Sequence, residues 1–255
     1  MNPLETYIRE CFDIRSTGAG TPETSYYGAL ERIFNEVGKT IKPKVRCIIN
    51  LANRGAGLPD GGLFTPDQFQ KAIGTKPLPG QIPARGVIEV KATSDDTFVT
   101  AEGEQVSRYL KEYRHVLVTN LWDFVLVARD AEGKPAKLES YQLAPNEAEF
   151  WKACIHPRRL ALAHGERFIE YLKRVMLLAA PLAAPKDVAF FLASYARDAK
   201  ARIEDVTLPH MYALRSALEE ALGLKFEGDK GEHFFPATSQ QPFAVNPWRG
   251  KETPW

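Results

Sequence analysis

The chain has 255 residues, and its 33 Lys and Arg against 32 Asp and Glu give a formal net charge of +1 at pH 7. Hydrophobic residues at 44% and charged residues at 25% exclude a chain disordered throughout and leave apolar surface for one large core or two small ones. This balance gives nucleic acid no average attraction, so a DNA partner would have to be met by basic residues gathered on one face. The first predicted helix covers residues 22–37: Tyr27, Leu30, Phe34 and Val37 make a 3.6-residue stripe that Thr21 and Pro22 open and Gly38 closes. Residues 45–50 and 62–65 are short β-rich runs, and the turn-rich stretch 52–62 predicts a hairpin or bulge between them. Residues 76–83, with Pro77, Pro79 and Pro83, form a loop. A strand over 86–92 and a helix over 102–113 come next, then buried strands over 115–119 and 122–128 joined by a tight turn at Asn120 and Leu121. From Asn146 the pattern is one of amphipathic helices broken at His156–Pro157, at 181–185 and at Leu208–Pro209, and the stretch 234–255 has no period. The sequence thus divides into an α/β unit over 1–145, a helical coupler over 146–233 and an irregular tail over 234–255.

Cys11, Cys47 and Cys154 are far apart and odd in number, which suggests neither a zinc knuckle nor a disulfide framework and points to a reducing compartment. The N-terminus has no basic segment followed by an apolar run, and the longest apolar stretch, 175–184, is broken by Pro181 and too short for a bilayer. A cytoplasmic protein without a membrane partner is expected. His115, His156, His164, His210 and His233 show no metal-ligand spacing and read as surface or helix-terminus residues.

The chemistry gathers around residues 89–91. Alternation puts Glu89 and Lys91 on one face of an otherwise apolar strand and Val90 on the other. A carboxylate and an ammonium there are costly to bury unless a cation meets the first and an anionic ligand faces the second. Pro59-Asp60 lies upstream in a Gly-rich turn able to aim Asp60 at the same point. Asp60, Glu89 and the backbone carbonyl of Val90 offer hard oxygen ligands to Mg²⁺, and Lys91 can orient water or stabilise charge on a scissile phosphate. Glu23 shares the stripe of residues 27, 30 and 34 and so points toward the sheet, as a direct or water-bridged ligand; Glu31 is the competing helix carboxylate. Gln105 and Tyr109 share a helix face, where Gln105 can reach a metal-bound water or a phosphate. Lys39, Lys42, Lys44, Arg46 and Arg54 gather near this site, either to grip phosphates or as a solvated face.

The succession Glu23, Pro59-Asp60, Glu89-Val90-Lys91 and Gln105-Val-Ser-Arg-Tyr109 resembles the PD-(D/E)xK nucleases of the Mrr-like or RecB-like kind. Residues 42–46, 53–57, 58–64 and 222–228 are similar to the N-terminal region of type ISP restriction-modification enzymes, which join such a nuclease to a DNA translocase and an adenine methyltransferase. The likeness covers roughly residues 20 to 235. It implies a restriction-endonuclease-like α/β fold, a central mixed sheet flanked by helices and followed by an all-helical subdomain. It further implies an endonuclease dependent on Mg²⁺, for which Mn²⁺ can substitute, acting on double-stranded DNA in restriction or phage defence. A homodimer and translocase and methyltransferase partners, in cis or in trans, belong to the same expectation. The sequence lacks a phosphate-binding Gly-rich loop and a methylase motif, Asn246-Pro247-Trp248 being only a fragment of one, and reads as a standalone relative or a shortened piece of such an enzyme. The alternative is a non-catalytic DNA-binding or docking module that keeps the nuclease scaffold.

Overall fold

Among the described residues six strands form one mixed sheet, and the residues at its ends explain why. A computed structural model describes residues 2–51, 57–69, 80–178, 180–182, 184–204 and 216. The turn-rich stretch 52–56 with Arg54, residues 76–79 of the proline-rich loop, the break at 208–209, His210, His233, the stretch 222–228 and the tail lie outside the described residues. The strands are β1 (Arg46–Ile49), β2 (Gly61–Phe64), β3 (Val87–Val90), β4 (His115–Thr119), β5 (Asp123–Arg129) and β6 (Pro135–Gln142), in that spatial order. All neighbouring pairs are antiparallel except β3 and β4. That parallel pair needs a crossover, which α3 (Thr97–Ala101) and α4 (Glu104–Glu112) provide. The fold is therefore α/β with a mixed central sheet flanked by helices and a helical C-terminal part.

Each face of the sheet has its own cover. Val87, Val116, Val118, Val125 and Val127 pack with Val106, Tyr109 and Leu110 of α4. The remaining helices of this part are α1 (Pro3–Ser16), α2 (Tyr27–Gly38), α5 (Glu147–Cys154) and α6 (Pro157–Leu177). The α1 stripe, Leu4, Tyr7, Ile8 and Cys11, is fully buried; Asn2 caps the helix by accepting from Leu4 N–H at 3.0 Å, and Pro3 occupies the first turn. Tyr7 donates to the Leu121 carbonyl at 2.7 Å and Tyr171 of α6 to that of Phe124 at 3.1 Å, so α1 and α6 both grip the β4–β5 corner. A Cβ at Gly38 would stand 2.1 Å from the Val45 carbonyl oxygen, so the chain can close against the end of α2 only with glycine there. Asn35 ties α2 to β1, accepting from Cys47 N–H at 2.9 Å and donating to its carbonyl at 3.1 Å.

Three features depart from the sequence expectations. Residues 3–16 and 135–142 form elements that the periodicity reading left unassigned. The first predicted helix begins only at Tyr27, after a 3₁₀ turn over Thr24–Tyr26. Thr21, Thr24 and Ser25 bond to one another there, Thr21 N–H donating to Ser25 Oγ at 2.8 Å, and this local alternative displaces the helical ladder. Finally, although the sequence changes character at Asn146, α5 and α6 pack on α1 and belong with the sheet in a unit of residues 1–184. A second unit begins at Pro185 and contains α7 (Pro185–Glu204). No helix among the described residues is long and apolar enough to cross a membrane.

Candidate active site

The β2–β3 pairing builds the site. Gly61 lies opposite Ile88 and Gly62 opposite Val87, and the same register carried one step further sets Asp60 opposite Glu89. Directly opposed residues of an antiparallel pair have Cβ atoms about 4.5–5.5 Å apart on one face. The ladder ends there, leaving the buried Val90 N–H without a strand carbonyl, and Asp60 Oδ2 accepts from it at 2.7 Å. Asp60 Oδ1 accepts from the Tyr27 hydroxyl at 2.5 Å, and the Asp60 carbonyl accepts from Asn50 N–H at 2.7 Å. The Asp60 carboxylate is thus clamped from two elements distant in sequence.

Glu89 is 2% exposed, and its Oε1 accepts from Lys91 Nζ at 2.6 Å while its Oε2 is buried without a hydrogen-bond partner. Burial pushes the Glu89 carboxyl up, the Lys91 ammonium pulls it down, and neighbouring Asp60 raises it again. For Lys91 burial acts downward, but the bond to Glu89 and the fields of Glu89, Glu23 and Asp60 prevail, so the ammonium is held protonated. We take the proton to reside on Lys91, because direct contact with a carboxylate outweighs its partial desolvation.

Tyr109 accepts from Gln105 Nε2 at 2.9 Å, and its hydroxyl lies near enough to Glu89 and Asp60 to feel both charges. The Tyr109 hydroxyl is pushed up to about 12 by burial, Gln105 opposing and the charges of Glu89 and Asp60 adding to the rise. Gly57, at φ +116°, lies against the ring: a Cβ there would approach Tyr109 Cε1 to 3.2 Å. The loop after Lys91 is held from the far side. Thr93 donates to Glu147 Oε1 at 2.5 Å, its carbonyl accepts from Trp122 Nε1 at 2.9 Å, and Asn120 Nδ2 donates to the Asp95 carbonyl at 2.8 Å.

Of the residues expected from sequence, Asp60, Glu89, Val90 and Lys91 come together, and Gln105 joins them through Tyr109. Glu23 needs correction: it lies in the turn before α2, not on the α2 stripe, because that helix starts late. Its charge still acts on Lys91 and Tyr27. Among the described residues no three His, Cys, Asp or Glu side chains form an ion-holding group. Two members of the basic cluster are placed as follows. Arg46 pairs with Phe64, at the far end of the β1–β2 hairpin from Asp60, a distance of about 13 Å at strand rise, and Lys39 is paired with Glu36 at 2.6 Å. His115 is no surface residue: it is 1% exposed.

Tyr27 is the site residue that sequence reasoning placed in the core stripe. A tyrosine at the first position of such a stripe offers an apolar ring to the core and a polar tip at the helix end, which is the signal that could have identified it. Burial, the bond to Asp60, and the charges of Asp60, Glu23 and Glu89 all raise its hydroxyl, so it remains a donor. Tyr27→Phe should lower stability by about 1.5 kcal/mol in urea denaturation, the low end for a bond to a charged group because half-buried Asp60 can recover water. No change in the denaturation midpoint would remove Tyr27 from the clamp.

No family model and no curated protein matches the sequence. Among solved structures, the cryo-EM structure of a DrdV–DNA complex matches at 14% identity with a TM-score of 0.40, over 87% of this chain. The chain spans 17% of the length of that protein.

Proposed function

We propose that this chain is a metal-dependent endodeoxyribonuclease of the PD-(D/E)xK type, hydrolysing phosphodiester bonds of double-stranded DNA. The observation that carries the reading is the Asp60 carboxylate bonded to Val90 N–H on β3 at 2.7 Å, beside Glu89, with the Lys91 ammonium 2.6 Å from Glu89. The donor set suits Mg²⁺, or Mn²⁺ in its place: two carboxylates, one with a buried oxygen that has no partner, beside a backbone carbonyl at Val90. When bound, the ion supplies Lewis-acid polarisation of a phosphoryl oxygen and a bound water of lowered pKa.

The protein's own groups define the remaining steps. Asp60 is pre-oriented by Tyr27 and by Val90 N–H, so little reorganisation precedes ligation. Glu89, with Asp60 and the Val90 carbonyl, would hold the ion. Lys91, protonated, would position the attacking water and face charge developing on the phosphate. Gln105 orients the Tyr109 hydroxyl at the same carboxylates, and Glu23 adds negative field from the turn before α2. A second active site, from a homodimer or from converging complexes, would be needed for a double-strand break. A translocase and an adenine methyltransferase are the partners proposed, in cis or in trans, in a cytoplasmic restriction or defence system.

Two measurements test the reading. Titration with Mn²⁺ should give binding heat that Glu89→Gln abolishes, and supercoiled plasmid should be nicked with Mg²⁺ but not in EDTA. Absence of both heat and nicking would overturn the nuclease in favour of a non-catalytic DNA-binding module. Heat without nicking, followed by cleavage once translocase and methyltransferase are added, supports the partner-dependent form.

A further inference from the structure

The end of the sheet away from Asp60 and Glu89 carries the opposite charge. Arg85 immediately precedes the last residue before β3, and its N–H donates to the Leu63 carbonyl at 2.9 Å. Arg85 is 6% exposed, and its Nε is buried without a hydrogen-bond partner. Val87 lies beside Val116 in the parallel β3–β4 pair, and the same register followed back two residues sets Arg85 alongside Arg114 and Gly86 alongside His115. The His115 ring fills the space at Gly86: a Cβ there would stand 2.5 Å from its Cδ2.

This arrangement is costly as it stands. A guanidinium cannot shed its proton, so a buried one must be paired or hydrated, and the charge of nearby Arg114 acts against it. The imidazole beneath is buried and brings no negative charge. Asp67 is the carboxylate whose field reaches Arg85, yet among the described residues no ion pair joins a carboxylate to Arg85 or Arg114. An oxyanion with several acceptor oxygens resolves all three difficulties: it accepts from the idle Nε–H, offsets the repulsion, and matches the planar fork of Arg114.

We propose that Arg85 and Arg114 form a binding site for a phosphoryl oxyanion at the N-terminal end of β3, separate from the carboxylate site. Glu89 is four residues further along the strand, about 13 Å away, so neither site depends on the other. A backbone phosphate of nucleic acid and a free phosphate or nucleotide share this chemistry.

Calorimetric titration of the full chain with inorganic phosphate, in metal-free buffer of low ionic strength, tests the site. One saturable site is expected, weakened about tenfold or more by Arg114→Gln and by Arg85→Met and unchanged by Lys91→Ala. Arg114 is exposed, so its variant keeps the test valid even if Arg85→Met fails to fold. No saturable binding, or Arg114→Gln binding as tightly as the parent, overturns the proposal. Release of bound phosphate by a short DNA duplex identifies the DNA backbone as the occupant; retention alongside DNA identifies a free phosphate or nucleotide. Because Lys91→Ala leaves this titration intact, loss of the nuclease reading and loss of this site are separately visible.

Discussion

Lys91→Ala is expected to lower Mg²⁺-dependent plasmid cleavage by about 10²–10³-fold, the cost of removing one aligned donor from a developing oxyanion. The substitution also has a structural effect, and the two can be separated. Glu89 is 2% exposed and Lys91 keeps 23% of its side chain accessible, with 2.6 Å between them. Deleting the lysine leaves a buried carboxylate without its cation, which should cost about 2–3 kcal/mol in urea denaturation, below the range for pairs buried on both sides. Lys91→Arg restores a cation and hence most of the stability, but its larger planar head cannot take the position of a compact ammonium, so cleavage should remain low. The Glu89→Gln/Lys91→Met double variant, with no charge left to bury, should be at least as stable as the parent and inactive. Cleavage within a few-fold of the parent in Lys91→Ala would remove this residue from the chemistry, whatever its effect on stability.

The parts of the molecule legible in the sequence are those where a local rule and the tertiary structure agree. Gly38 ends α2 as expected because both the helix terminus and the close approach of Val45 demand glycine. The strand with Glu89 and Lys91 was readable because two charges in an apolar run have few structural uses, and β4 and β5 because they are apolar throughout. β6, Pro-Ala-Lys-Leu-Glu-Ser-Tyr-Gln, escaped notice for the opposite reason: as an exposed edge strand it is polar along most of its length, which protects it from pairing with other chains. Its hydrogen-bond partner β5, not its own side chains, makes it a strand.

The errors at the site share one cause: spacing in sequence was read as spacing in the fold. Counting back from Tyr27 placed Glu23 on a stripe that the Thr21–Ser25 bonds interrupt. Nearness of Arg46 to Asp60 along the chain suggested neighbours, but the β1–β2 hairpin puts Arg46 against Phe64 and brings Asn50 to Asp60. In the other direction, the Tyr27–Asp60 bond spans 33 positions and no local pattern announces it. Asp60 and Glu89 can be associated from sequence because turn context and strand context each constrain one of them.

His115 should make the folded state sensitive to acid. Burial lowers it to about 4; the Arg85 backbone pulls the other way, and the charges of Arg85 and Arg114 add to the fall. In the unfolded chain its value returns to about 6.5. Between these values the unfolded state takes up a proton that the folded state refuses, so stability is complete above about pH 6.5 and declines as pH falls toward 4. The full loss is about 3 kcal/mol and that at pH 5 about 2 kcal/mol, at 1.36 kcal/mol per unit. The ring is 1% exposed, so solvent screening takes little from these figures. Carboxylates contribute their own acid dependence, and comparison with His115→Leu cancels it. Urea denaturation at pH 7.5 and pH 5 should show the parent losing about 2 kcal/mol more than the variant over that interval, whatever packing cost the variant carries at both. Parallel losses in the two proteins would mean that the imidazole reaches water or a partner and takes up its proton in the folded state.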